Sequence, residues 1–208
     1  STGFLPDWDH PYHSEAALGL VERAMAATDE PLYVVAVGAI TNVASAILIE
    51  PGITQRIVIV WLGGHARHWP LTQEFNLRQD IQAARLIFDC GVPLIRIPCL
   101  GVTSHLLTTL PEIEHYVQGR GAIGDYLAEI FEGYHADHYA RSKVIWDISA
   151  TAYLVNADWV GTDLVHSPII TDQATWSCDP SRHLIRCARF VDRDAIFKDL
   201  FIKLEQHT

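Results

Sequence analysis
The chain has 208 residues, 49% of them apolar and 19% charged, which suits one sizeable domain with a large core and argues against disorder. Its formal net charge is −10, and no Lys/Arg cluster is longer than a pair, so a phosphate-rich partner such as nucleic acid is not expected. No uninterrupted apolar stretch reaches about 18 residues, so no spanning helix is expected. The four cysteines (Cys90, Cys99, Cys178, Cys187) are widely spaced with no CxxC pair, which suggests packed thiols in a reducing cytoplasm rather than disulfides or a zinc site.

In chain order, Ser14 opens a helix in which Ala17, Leu18, Val21, Ala24 and Met25 recur at helical spacing. Leu32 to Ile40 reads as a strand with β-branched residues at its centre, and Thr41-Asn42 leads into a helix from Val43 to Ile49. A second strand runs from Arg56 to Leu62. Its continuous apolar run Ile57-Val58-Ile59-Val60-Trp61-Leu62 suits a strand buried on both faces. Helix Ile81 to Cys90 and strand Val92 to Leu100 follow. Strand and helix alternating through short connections imply right-handed crossovers. The expected fold class is α/β, a mostly parallel sheet flanked by helices. Beyond it, Ser104 to Ala140 reads as helix and loop, Ile148 to Val155 as helix, Leu164 to Thr171 and Leu184 to Val191 as strands, and Arg193 to about Leu204 as an amphipathic helix. With no repeat or linker, residues 1–208 are expected to form one domain.

Polar groups gather at the strand ends. Thr41-Asn42, the Gly63-Gly64 loop with His65, His68, Glu74 and Asn76, and Leu100-Gly101-Val102-Thr103 follow successive strands, and so fall on the sheet's carboxyl edge, where open α/β sheets bind ligands. On the second loop Glu74 and Asn76 stand two residues apart, an acceptor and a donor-acceptor suited to a polyhydroxylated ligand such as a sugar. A helix cap ahead of Ile81 is the competing explanation. Thr41 reads first as a helix cap, although its main-chain carbonyl is also a candidate ligand for a hard cation. Asp147, between Trp146 and Ile148, is either the cap of the following helix or, if partly buried, a carboxylate in need of a cation. A carboxylate with a main-chain carbonyl suits calcium better than zinc. His135 and His138 are three apart on an expected helix, where a solvated face competes with metal ligation. There is no GxSxG, P-loop or GxGxxG, so serine hydrolases, NTPases and dehydrogenases lose support.

These residues resemble a known family, the nucleoside hydrolases of the inosine-uridine preferring type. Gly38-Ala39-Ile40-Thr41-Asn42-Val43-Ala44 is similar to the family's GPLTN-A turn, and Leu62-Gly63-Gly64 to its MGG turn. Glu74-Phe75-Asn76-Leu77 with Asp80 and Ala83-Ala84 resembles EFN-(x)-DPEAA. Gly91-Val92-Pro93 and Gly101-Val102-Thr103 look like SG-P and LDVT, and Trp146-Asp147 stands where the family has His-Asp. The match is collinear from about Ser14 through the last helix. The resemblance implies calcium-dependent cleavage of the bond between base and ribose. By position, Asp147 and Thr41 would ligate Ca2+, while Glu74 and Asn76 would hold the ribose hydroxyls beside Leu62 and stabilise charge on the ring.

Three departures stand beside this likeness. The family's aspartate cluster, D-x-D-x-G-x-D-D, is absent, and the nearest acids, Asp7 and Asp9, do not follow a strand, so the chain reads as N-terminally incomplete. Trp146 replaces the histidine associated with the leaving base, which leaves the general acid unassigned. His68-Trp69-Pro70 stands for an Asn-x-Thr-Pro pattern, so the contact to the 5′-hydroxyl passes to His68 or is lost. The expected partners are a ribonucleoside and, through an open sheet edge, a second copy of the chain in a homo-oligomer. The alternative function is a non-catalytic nucleoside- or sugar-binding domain.

Overall fold
The computed structural model describes residues 4–7, 9–26 and 29–206. Trp8, between the acids Asp7 and Asp9, lies outside them. The first half alternates as the apolar patterns require: α1 (Glu15–Ala26), β1 (Leu32–Ala36), α2 (Thr41–Ile49), β2 (Ile57–Leu62), α3 (Phe75–Gln79), α4 (Ile81–Asp89) and β3 (Leu94–Ile97). Short pieces follow: β4 (Leu107–Thr108), α5 (Leu110–Tyr116), α6 (Gly121–Glu132), β5 (Lys143–Val144) and α7 (Ile148–Val155). The tail comprises β6 (Val160–His166), β7 (Ile169–Ile170), β8 (Trp176–Ser177), β9 (Leu184–Val191) and α8 (Arg193–Gln206).

The main sheet has the order β1-β2-β3-β9-β6. β1, β2, β3 and β9 are parallel neighbours, and β6 closes the far side antiparallel to β9. This is the α/β, mainly parallel arrangement the sequence implies. Because side chains alternate across a strand, β2 feeds two cores. Ile57, Ile59 and Trp61 pack with Ala17, Ile47, Ile87 and Phe88 of α1, α2 and α4. Val60 and Leu62 pack with Ala150, Ala152 and Phe197 of α7 and α8 on the other face. Both sides of β2 are thus sealed, which explains its uninterrupted apolar run.

Several expectations need correction. The strand pattern at Leu164 to Thr171 divides into β6, which begins earlier at Val160, and the two-residue β7, which pairs with β8. His135 and His138 do not share a helix: α6 ends at Glu132, and His138 Nε2 meets the Glu132 carbonyl at 2.8 Å in the loop beyond. On α1 only Ala17 and Ala24 are buried, while Leu18 and Met25 are exposed, so the apolar stripe is narrower than its spacing suggests. β1 is an edge strand whose outer side has no neighbour among the described residues, and its Tyr33 and Val35 are exposed.

Asp80 ties the start of the chain to the sheet's carboxyl edge. One carboxylate oxygen accepts the Ala83 N–H at 2.9 Å and caps α4; the other accepts the Leu5 N–H at 2.9 Å and the Thr41 hydroxyl at 2.7 Å. All three bonds are buried. Asp80→Ala removes a cap and leaves a buried N–H and hydroxyl unpaired, so a loss of about 2–4 kcal/mol is expected in denaturant unfolding. A loss below about 0.5 kcal/mol would show that water replaces these bonds.

Candidate functional site
Beyond β2 the chain turns at Gly63-Gly64. Gly64 has φ +71°, and a Cβ there would lie 2.8 Å from Thr72 Oγ1 and 2.9 Å from the Trp176 ring, so no larger residue fits. Every backbone polar group of this turn finds a partner. Gly63 N–H donates to the Ile97 carbonyl at 3.1 Å, and the Gly64 carbonyl accepts the Cys99 N–H at 2.8 Å. Gly64 N–H donates to Glu74 at 3.0 Å, and His65 N–H to Thr72 Oγ1 at 3.3 Å. Beneath lies Arg96 of β3, fully buried, whose guanidinium donates to the carbonyls of Gly63 (3.1 Å) and His65 and stacks 4.2 Å from the centre of the Trp176 ring. Burial disfavours its charge and lowers its pKa. Trp176 Nε1 adds a second donor to the His65 carbonyl at 3.1 Å.

This turn forms one wall of a cleft of about 500 Å³ at the sheet's carboxyl edge, lined on its polar side by His65, Glu74, Asn76 and Asp147 and on its apolar side by residues including Leu62 and Trp146. The structure therefore brings together Glu74, Asn76, Leu62 and Asp147. It does not bring in His68, which lines a separate cavity with Gly101 and Arg189. Thr41 is outside the cleft lining too. It is the first residue of α2, with Ile40 as the N-cap, so its carbonyl enters the helix ladder and its hydroxyl goes to Asp80. Asp7 turns back on itself at the surface, accepting the N–H groups of Asp9 and His10 at 2.9 Å each.

The cap reading holds for Glu74, although for a helix that begins before Ile81. It is the N-cap of α3, its carboxylate accepting the N–H groups of Asn76 (2.8 Å) and Leu77 (3.0 Å) as well as that of Gly64. It also lines the cleft as a buried, fixed negative charge. Asn76 donates through Nδ2 to the Leu62 carbonyl at 2.9 Å, which orients its amide and leaves Oδ1 as the free end. Asp147 occupies the N-cap position of α7 but makes no capping hydrogen bond, so the capping explanation fails for it. Its side chain is exposed at the cleft mouth. Desolvation and the Glu74 charge together raise its pKa above the usual carboxylate range. The Cys99 thiol is pushed up as well, by burial first and then by Glu74. A fixed negative field therefore converges on the space between Glu74 and Asp147, where a cation or an electron-poor centre would be stabilised.

Calcium takes six to eight oxygens, roughly, at short range. Among the described residues no group of three or more His, Cys, Asp or Glu side chains is placed to hold a metal. Asp147 is an uncommitted carboxylate, whereas Glu74 already accepts three backbone N–H groups and the Thr41 carbonyl lies in the first turn of its helix. The described residues do not by themselves make a calcium shell. All four cysteines are free, and no helix among the described residues is long and apolar enough to cross a membrane.

Sequence reasoning placed His65 among the polar groups of the loop after Gly64 without giving it a role, and missed Arg96 as the support beneath it. Arg96 left one signal, a charge in the middle of the buried strand Leu94-Ile95-Arg96-Ile97.

Comparison with known proteins gives three results. A family model described as "Inosine-uridine preferring nucleoside hydrolase" matches residues 2–198. Among curated proteins, the chain is 29% identical over 175 residues to the pyrimidine-specific ribonucleoside hydrolase RihA of Klebsiella pneumoniae (strain 342), covering 76% of this chain and 56% of RihA. It is 29% identical over 160 residues to the putative pyrimidine-specific ribonucleoside hydrolase RihB of Shigella boydii, covering 72% of this chain and 64% of that protein. The chain thus spans rather more than half the length of these relatives. Among solved structures, the inosine-uridine preferring nucleoside hydrolase of Bacillus anthracis superposes with TM-score 0.76 at 20% identity, over 95% of this chain and 67% of that one. The purine-preferring ribonucleoside hydrolase of Gardnerella vaginalis gives TM-score 0.74 at 21% identity, over 94% and 67%. At that identity the structural likeness speaks for the fold.

Proposed function
Since the chain belongs to the inosine-uridine preferring nucleoside hydrolase family, we propose that it carries the sugar-facing wall of an N-ribohydrolase, an enzyme that splits a ribonucleoside into base and ribose. The observation that carries this is the convergence of Glu74, Asn76, Leu62 and Asp147 on one cleft. Asn76 Oδ1 and the Asp147 carboxylate are acceptors for vicinal hydroxyls. The fixed charge of Glu74 suits the positive ring that develops as a glycosidic bond breaks. Trp146 and Asp147 also border an apolar groove lined by Leu127, Ile130, Phe131 and Phe201, a surface suited to the flat face of a base. The curated relatives compared above are pyrimidine-specific, so uridine is the first substrate to try.

Calcium belongs to this proposal as the family's expected cofactor, with Asp147 as the contributing carboxylate. The remaining ligands are not found among the described residues. No chemical step is derived through the metal. A reducing compartment suits the four free cysteines. Self-association through the open side of β1 would cover Tyr33 and Val35.

The second reading, a riboside-binding domain without catalysis, draws on Glu74, whose carboxylate already accepts three backbone N–H groups and is held as a fixed charge. Ribose release from uridine and inosine, followed with calcium and with chelator, separates the two. Chelator-sensitive release supports the hydrolase. Saturable riboside binding that ignores calcium and yields no ribose supports the binding domain, and absence of both binding and release overturns both.

A further inference from the structure
The polar side of the cleft consists mostly of acceptors. Glu74 accepts three backbone N–H groups, Asn76 commits one Nδ2 hydrogen to the Leu62 carbonyl, and Asp147 is a carboxylate. A sugar hydroxyl accepts as well as donates, so a site that orients one in a single pose needs a donor too. The second Asn76 Nδ2 hydrogen, the Trp146 indole and the weakly donating Cys99 thiol are available donors, but the cleft side chain whose donor is fixed by a backbone contact and left without a protein partner among the described residues is His65.

Its protonation pattern follows from the backbone. His65 Nδ1 lies 3.3 Å from the Leu100 amide nitrogen. An amide N–H only donates, so Nδ1 must present a lone pair, and the proton of the neutral ring resides on Nε2. Nε2 has no protein partner among the described residues. The residue cannot drift, because its carbonyl is held by Arg96 and Trp176 and its N–H by Thr72. The edge of the Trp69 ring also lies beside the imidazole, 6.4 Å between ring centres. A second proton would set Nδ1–H against the Leu100 N–H, donor against donor. Desolvation lowers the pKa of His65 and the Arg96 charge behind the turn acts the same way, against the opposing pull of Glu74.

We propose that His65 is the orienting donor of this cleft, a neutral imidazole whose Nε2–H binds an oxygen of the riboside and whose tautomer is set by the Leu100 amide. This rests on the riboside reading of the cleft. It adds to that reading a contact on the turn after β2 that selects ligands offering an acceptor oxygen there.

The test combines tautomer and binding. In protein labelled with 15N-histidine, long-range proton–nitrogen correlation should show His65 with a bare Nδ1 and a protonated Nε2 near neutral pH, and uridine or inosine should shift the Nε2 resonance. Gln places an amide nitrogen near the Nε2 position, Asn only near Nδ1, and Phe keeps the ring without nitrogen. Riboside affinity should therefore fall about tenfold in His65→Phe and His65→Asn and stay within about threefold in His65→Gln, one hydrogen bond's worth of difference. Equal affinity in His65→Phe and the unsubstituted protein overturns the proposal, as does a proton found on Nδ1. If His65→Phe does not fold, the tautomer and the Gln/Asn contrast decide. Failure of the unsubstituted protein to bind uridine, inosine or ribose at all overturns the riboside reading and this proposal with it. Binding that ignores His65 overturns this proposal alone.

Discussion

Asp147→Asn should leave the protein at least as stable at neutral pH while riboside affinity falls about ten- to a hundredfold, the range for losing a hydrogen bond to a charged group. The stability half follows from the environment of the carboxylate. Asp147 makes no capping bond and has no ion pair among the described residues, and desolvation and Glu74 raise its pKa. A carboxyl whose folded pKa exceeds its unfolded value contributes stability that is present below the unfolded pKa and lost as pH rises through the folded one. At neutral pH the ionised Asp147 is therefore a burden on the fold, softened by solvent at the cleft mouth, and the neutral amide removes it. Thermal unfolding should show Asn at or above Asp near pH 7, with the difference gone near pH 3. The functional half follows from position, since Asp147 is the uncommitted carboxylate of the cleft. Unchanged riboside affinity in a folded Asp147→Asn protein would remove Asp147 from the site. Any stabilisation by added calcium should disappear in the same variant.

Arg96→Met should be the more damaging substitution, although Arg96 is fully buried behind the cleft wall. Methionine fills much of the volume but donates nothing, so the Gly63 carbonyl loses its guanidinium partner and the His65 carbonyl keeps only Trp176. One unpaired buried carbonyl, one half-paired and a vacated place against Trp176 together imply a loss of about 3–5 kcal/mol. In a domain of this size that is a fall in Tm of roughly 10 °C or more. The turn carrying His65 and anchored by Glu74 should relax, so riboside affinity falls in the molecules that remain folded. Arg96→Lys should rescue little, because one ammonium lacks the planar fork that serves two carbonyls. A loss below about 1 kcal/mol with binding intact would mean that water takes over both carbonyls.

The parallel half of the fold was legible because its signals are local. The apolar run Ile57 to Leu62, the paired glycines and the short connections each announce an element, and the crossover rule does the rest. The convergence of Glu74, Asn76 and Asp147 was inferred only with the help of family likeness, since Asp147 follows Asn76 by about seventy residues and no periodicity links them. The tail was harder. β9 inserts beside β3, pairing Arg96 with Cys187, and strand order of that range leaves no mark in a single sequence. Individual roles at the site were the least visible. Whether a carboxylate caps a helix, as Glu74 does, or declines to, as Asp147 does, depends on side-chain direction. Thr41 was expected two residues ahead of its helix; as the first residue of α2 it accepts within the helix and its hydroxyl donates to Asp80, which leaves its carbonyl one lone pair. His65 was visible among the polar groups of the loop but without a role, because its meaning depends on the Leu100 amide, which reaches it across the strand ends.

Trp176 makes the cleft a late product of synthesis. Its ring covers Arg96 and its indole holds the His65 carbonyl, yet it lies 111 residues downstream of His65. A ribosome that has released residues 57–100 has already exposed β2, β3 and the paired glycines, but the turn between them still lacks its cover. Until the β7–β8 hairpin emerges, the Arg96 guanidinium remains open to water, and the nascent chain has a sheet whose cleft wall is unfinished. Premature termination between β3 and that hairpin would therefore yield a product that keeps three of its four parallel strands, β1, β2 and β3, and leaves the turn after β2 without the Trp176 cover.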